Sequence, residues 1–375
     1  MRDGEHQPIP VLRPQLPDAD ALLPYIRRID ATRIYSNQGP LSLEFEERVC
    51  TELGLRRGSF IATANGTAAL CAAVLASAGR PKEERPLALM PAFTFVATAV
   101  AVEQCGYLPY FVDIDETTWA LDPHEIRRHP MLKRAGVIVP VNPLGRLQQS
   151  AAWSALSEEI GIQVVLDGAA SFDLYKTTPF RQDVPIAMSF NATKSFATAE
   201  GGGIIAEEGD LAIRARRALN FGFFLTRECQ SASINGKMSE YHAAIGLAEL
   251  DGWNAKSAAL RDVANVYQQY GKELGVSDRI VTYPEISSSY VIFAAKDVDE
   301  ARRVRGALDE GLIGTRLWYG FGVHRESYFR NALRDSLPIT ERVAGTLLGI
   351  PVAPDLSEAA VERVVKALAM CVIRT

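Results

Sequence analysis

The chain has 375 residues, 47% of them hydrophobic and 23% charged, enough for a large core and for two domains. A net charge of -5 and a pI of about 5.7 argue against nucleic acid or an anionic membrane as a partner. Cys50, Cys71, Cys105, Cys229 and Cys371 are widely spaced and mostly set in apolar runs, which reads as reduced core residues of a cytosolic protein.

Neither these cysteines nor the histidines at 6, 124, 129, 242 and 324 show metal-ligand spacing, so no metal is expected. Residues 1–10 are polar, without an apolar signal core, and no apolar run approaches the roughly 20 residues of a membrane span. A cytoplasmic protein is therefore expected.

In chain order, residues 18–29 and 43–53 read as helices, joined by a loop at 35–40 dense in turn formers. Strand-length apolar segments then alternate with helical ones. The predicted strands are 59–62, 87–90, 110–112, 137–141, 163–166, 186–190 and 204–206; helices are predicted at 67–78, 95–105, near His124 and at 151–160. Such alternation predicts an α/β domain with a mainly parallel sheet covered on both faces. From Met238 the texture changes to a long helical stretch, isolated strands at 290–293 and 316–318, and a last helix with Val361, Val364, Val365 and Leu368 on one face. Two domains follow: a large α/β domain, 1–252, and a smaller α+β domain, 253–375.

Ligands of open α/β sheets collect beyond the carboxyl ends of the strands. Four such connections carry chemistry. Asn65, Gly66 and Thr67 turn a strand into a helix, which makes either a phosphate site of backbone amides or a plain N-cap. Phe95 follows another strand, as a stacking ring or as core. Asp167 ends a hydrophobic strand, where a carboxylate is costly to bury unless it caps a helix or meets a cation, such as a protonated heterocyclic nitrogen. Lys194 stands between two strands, before Gly201, Gly202 and Gly203; loss of hydration among small and apolar neighbours favours the neutral amine that forms Schiff bases.

Phosphate cradle, stacking ring, carboxylate and lysine, in that order, amount to a pyridoxal phosphate (PLP) site. The chain resembles the DegT/DnrJ/StrS family of PLP-dependent nucleotide-sugar aminotransferases, of the aspartate-aminotransferase type. The likeness runs through 9–14, 39–46, 65–70, 91–98, 111–115, Asp167, 189–203 and 234–240, and more loosely through 348–356. It implies fold type I of the PLP-dependent transferases. It further implies that Lys194 bonds the cofactor, Asp167 pairs with its ring nitrogen and Phe95 stacks on the ring. Gly66, Thr67, Ala68 and Ser189 would bind at the phosphate, and Asn235 would reach the phosphate of a neighbouring subunit, which implies a homodimer with shared sites. Three positions depart from the family pattern: Ala170 where Gln or His is common, Asn142 where His is, and Lys237 where Arg is usual.

The resemblance implies ping-pong transfer of the amine of L-glutamate to a nucleotide-linked keto-6-deoxy sugar, with C4 favoured over C3. Arg316, Trp318, Tyr319 and His324 form a polar-aromatic cluster that either contacts the sugar nucleotide or packs a domain interface. The alternatives are a PLP-dependent deoxysugar dehydratase and a PLP- or sugar-binding regulatory relic without turnover. A nicotinamide oxidoreductase fits the alternation alone, but the first strand is not followed by its glycine fingerprint.

Overall fold

The structure, a computed structural model, describes residues 7–146, 150–176, 184–206, 209–283 and 285–373. Local chemistry sets the first boundaries. Helix Ala19–Thr32 begins where Asp18 accepts a hydrogen bond from the Ala21 amide at 2.9 Å, an N-cap. Helix Pro40–Leu53 starts earlier than its apolar pattern predicts, because the buried Glu240 carboxylate accepts from the amides of Leu41 and Ser42 at 2.8 and 2.9 Å. Proline suits that first position, where its missing N–H is not needed.

The strands are β1 (Phe60–Thr63), β2 (Leu87–Pro91), β3 (Leu108–Val112), β4 (Ala135–Ile138), β5 (Gln163–Val164), β6 (Leu166–Asp167), β7 (Ile186–Ser189) and β8 (Gly202–Ile205). One ladder runs β1-β8-β7-β6; another runs from Leu333–Arg334 through β3, β2 and β4 to β5. They join where the amides of Val165 and Asp167 donate to Ile138 O and Pro140 O at 3.0 and 2.8 Å. All pairings are parallel except those of β8, which runs against both neighbours. β1, β2 and β8 are buried along their whole length, as expected of a sheet covered on both faces.

A second sheet, all antiparallel, orders Arg316–Leu317, Leu347–Ile350, Val291–Ala294 and Ile280–Val281. Helices Val298–Glu310 and Glu358–Ile373 belong to the core built on it, and the predicted stripe of Val361, Val364, Val365 and Leu368 is fully buried there. The 34-residue helix Glu240–Glu273 passes position 252 unbroken. Its Ala243, Leu247 and Trp253 lie in the core of the large sheet, and its Leu260, Val263 and Tyr267 in that of the small one.

The chain crosses between the two units at both ends of the sequence. Ile9 and Leu12 bridge to Ile313 and Val352 of the second unit. In the other direction Leu333–Arg334 adds a parallel strand beside β3, where the Asp335 carboxylate accepts from Tyr110 OH at 2.7 Å and meets His129 Nε2 at 2.8 Å.

Cys50, Cys71 and Cys105 are buried. Cys371 is half-buried and packs against the core of the second sheet, whereas Cys229 is exposed, which corrects the reading of the cysteines as core residues at that position. Among the described residues no helix is long and apolar enough to cross a membrane.

Candidate active site

Beyond the carboxyl ends of the central strands lies a cavity of ≈ 670 Å³, lined by Gly66, Thr67, Ala68, Phe95, Asp167, Ser189, Lys194 and Asn235 among others. Every residue singled out for the cofactor thus borders one space.

Lys194 owes its place to aromatic packing. The connection from β7 to β8 is held at Phe190 and Phe196, both fully buried; Phe196 stacks on Phe172 at 3.9 Å and meets Trp253 edge-on at 5.4 Å. Between these anchors the backbone closes on itself: Ala192 N donates to Ala199 O, Lys194 N to Asn191 O and Thr198 N to Phe190 O, each at 2.8 Å. The glycine run is steric in origin, since a Cβ on Gly203 would stand 2.1 Å from Phe60 Cζ and one on Gly201 would stand 2.0 Å from Thr198 Oγ1. Lys194 is lifted into the cavity, and its Nζ donates to Tyr290 OH at 3.0 Å.

Asp167 ends β6 and is 4% exposed. Thr98 Oγ1 donates to its Oδ2 at 2.7 Å and the Ala169 amide to its Oδ1 at 3.1 Å, both neutral donors. Burial pushes this carboxyl above the usual carboxylate range, opposed by those hydrogen bonds and by the charge of Lys194. A buried carboxylate held by neutral groups at a cavity wall is a seat for a cation. Thr98 was not legible as a functional residue, because its partner lies far off in sequence.

The phosphate end forms at helix Gly66–Ser77. Asn65 caps it, accepting from Ala68 N at 2.8 Å, so the Ala68 amide is committed to the cap. Among the described residues the amides of Gly66 and Thr67 have no acceptor, and they point the positive end of the helix at the cavity. Gly66 is also required by close approach: a Cβ there would lie 2.7 Å from Ser189 Cβ and 3.2 Å from its Cα. Gly66→Ala should therefore weaken cofactor binding by roughly 10-fold, since such overpacking costs about 1–3 kcal/mol. Equilibrium titration of the cofactor-free variant checks this; unchanged affinity would place the phosphate elsewhere.

Phe95 caps the next helix, Val96–Gln104, and is 55% exposed where it borders the cavity, free to stack on a planar ligand rather than filling core. Asn235 borders the cavity of its own chain, and its Oδ1 accepts from Lys237 Nζ at 2.8 Å. Ala170 and Asn142 also line the wall, and Asn142 Nδ2 donates to Ser171 Oγ at 3.3 Å.

Of the polar-aromatic cluster, Arg316, Trp318 and Tyr319 reach the cavity mouth, with Arg316 Cζ 5.1 Å from the centroid of the Trp318 ring. His324 does not join them. Gly320 and Gly322, with φ of 62° and 88°, turn the chain so that Val323 N donates to Ala92 O at 2.9 Å, and His324 is buried beside Glu341. Burial, then Arg325, push the imidazole below its ordinary 6.5, against Glu341. The unfolded chain takes up this proton first, so the contribution to stability is complete above 6.5 and is lost as pH falls below it. Between about pH 7.5 and pH 5.5, His324→Gln should lose less melting temperature than wild type. Equal losses would mean that the acid sensitivity comes from other groups.

The model of the DegT/DnrJ/EryC1/StrS aminotransferase family matches residues 18–369. The chain belongs to this family. Aminotransferases of the family are PLP-dependent. Protein Rv3402c of Mycobacterium tuberculosis (strain ATCC 25618 / H37Rv) is 33% identical, the match covering 98% of this chain and 90% of that protein. A dTDP-4-amino-4,6-dideoxy-D-glucose transaminase of Shigella dysenteriae is 27% identical over 96% of this chain and 98% of its own. The crystal structure of a putative PLP-dependent aminotransferase from Bacillus cereus ATCC 10987 superposes with a TM-score of 0.88 at 28% identity, over 96% of this chain and 100% of that one. The cavity of this family member fits the cofactor on its own terms: acceptor-free amides, a close-set serine, a cation-seeking carboxylate and an amine all line one space.

Proposed function

We propose that the protein transfers the amino group of L-glutamate to the keto carbon of a nucleotide-linked 6-deoxy sugar, with C4 the favoured position. The observation that carries this is Asp167, buried among neutral donors in the same cavity as Lys194. When bound, pyridoxal phosphate supplies a carbonyl carbon for the incoming amine and a ring that accepts electrons from the broken Cα–H bond.

The chain's own groups do the rest. Lys194 would remove the proton from Cα and return it to the cofactor carbon on the far side of the shared nitrogen, acting as general base and then acid. Asp167 keeps the ring nitrogen protonated by offering it a negative charge out of water. The amides of Gly66 and Thr67, with Ser189, hold the phosphate, and Phe95 fixes the plane of the ring. Arg316 and Trp318, at the mouth, receive the sugar nucleotide. The choice of C4 is supported by the transaminase of Shigella dysenteriae, whose name specifies a 4-amino-4,6-dideoxy sugar. By the family resemblance, Asn235 also serves a second subunit, which makes the working form a homodimer with shared sites.

The test is incubation with L-glutamate and a dTDP-4-keto-6-deoxyhexose, or its 3-keto isomer, while measuring 2-oxoglutarate. Release with the 4-keto sugar supports the reading, and release with the 3-keto sugar alone moves the amine to C3. A nitrogen-free deoxygenated product would reveal a dehydratase, and a protein that binds cofactor without any turnover would be a regulatory relic.

A further inference from the structure

Tyr290 carries no motif, yet its hydroxyl receives the Lys194 amine at 3.0 Å, and Nζ stands 5.6 Å from the centroid of its ring. The tyrosine is itself fixed. It is 7% exposed, its amide donates to Ser288 Oγ at 3.0 Å, and its ring packs on Trp318 at 4.5 Å. It immediately precedes strand Val291–Ala294, so the second unit presents this hydroxyl to a lysine on the first. A long, flexible amine stem loses rotamer freedom on docking, and a hydroxyl that is already immobile adds little to that cost.

We infer that Tyr290 is the seat of the Lys194 amine whenever that amine is not covalently engaged, and is thereby a positioning residue that sets the balance between the two forms of the cofactor. This rests on Lys194 being the cofactor-bonding lysine. When the aldehyde form binds, Lys194 Nζ condenses with it, a C–N double bond forming and water leaving, and the seat empties. When the amine form binds, Nζ stays free and the seat stays filled, as it would before any cofactor enters. Removing the hydroxyl therefore raises the free energy of the cofactor-free and amine-bound states together and leaves the aldehyde-bound state alone. Affinity for the aldehyde form rises, while affinity for the amine form holds.

The experiment titrates cofactor-free protein with pyridoxal 5′-phosphate and with pyridoxamine 5′-phosphate, in wild type and Tyr290→Phe, and repeats both on a Lys194→Ala background. The ratio of the pyridoxamine phosphate Kd to the pyridoxal phosphate Kd should rise roughly 3- to 10-fold with Tyr290→Phe, the worth of one hydrogen bond. It should not move when the same change is added to Lys194→Ala. A merely structural tyrosine would weaken both ligands alike and leave the ratio fixed, which overturns the inference, as does a ratio change that persists without Lys194. If wild type binds neither compound, the reading of the site fails first and takes this inference with it.

Discussion

Asp167→Asn should lower turnover by roughly 10²–10⁴-fold and yet raise the melting temperature of the cofactor-free protein. The first effect is the loss of a charge partner out of water, about 3–5 kcal/mol for a broken buried pair. The second follows from the sign of the carboxyl's shift. Burial raises it above its ordinary 3.8, so between that value and the folded-state value the native protein binds more protons than the unfolded chain. This group's contribution to stability therefore falls as pH rises through that window, and at neutral pH the buried charge is a cost that asparagine removes. Phe95→Ala, losing a stacking contact worth about 0.5–1.5 kcal/mol, should lower turnover only about 2- to 10-fold. Steady-state rates beside calorimetric melting decide the matter; equal losses from Asp167→Asn and Phe95→Ala would sink the assignment of Asp167.

Lys194→Ala should be the more damaging change, with turnover down by at least about 10⁴-fold, because one amine serves as both covalent attachment and proton carrier. Wild type mixed with pyridoxal 5′-phosphate should turn yellow and lose that colour on adding L-glutamate. Borohydride reduction before glutamate should fix the cofactor to the peptide carrying Lys194, and Lys194→Ala should yield no such peptide. A wild-type protein that stays colourless with added cofactor would leave a fold without its chemistry.

How far these residues were legible depended on how local their reasons are. Asp18 announces a helix because the cap and the turn it serves are three residues apart. The strands announce themselves because burial on both faces leaves continuous apolar runs, as in β2. Gly66, Phe95, Asp167, Ser189 and Lys194 each follow or end a strand, and strand ends are where this class of sheet meets ligands.

Thr98 and Tyr290 were silent, because Thr98 meets Asp167 across 69 positions and Tyr290 meets Lys194 across 96. No spacing rule reaches that far. The cluster near 316–324 divides between its two readings: Arg316, Trp318 and Tyr319 line the cavity, while Gly320 and Gly322, both with positive φ, send His324 into buried packing. Ala68 is a finer case, since its amide lies at the right helix end but is already taken by Asn65.

The strand at Leu333–Arg334 returns from the second unit to the edge of the first sheet, while Ile9 and Leu12 go the other way. Each unit thus wears a piece of the other's chain, like two parcels tied with each other's string. A nascent polypeptide released as far as residue 252 has not yet made Asp335, the partner of Tyr110 and His129, nor Val352, the partner of Leu12. Synthesis must therefore run almost to its end before either sheet can be finished, and the cleft between them takes its final shape last.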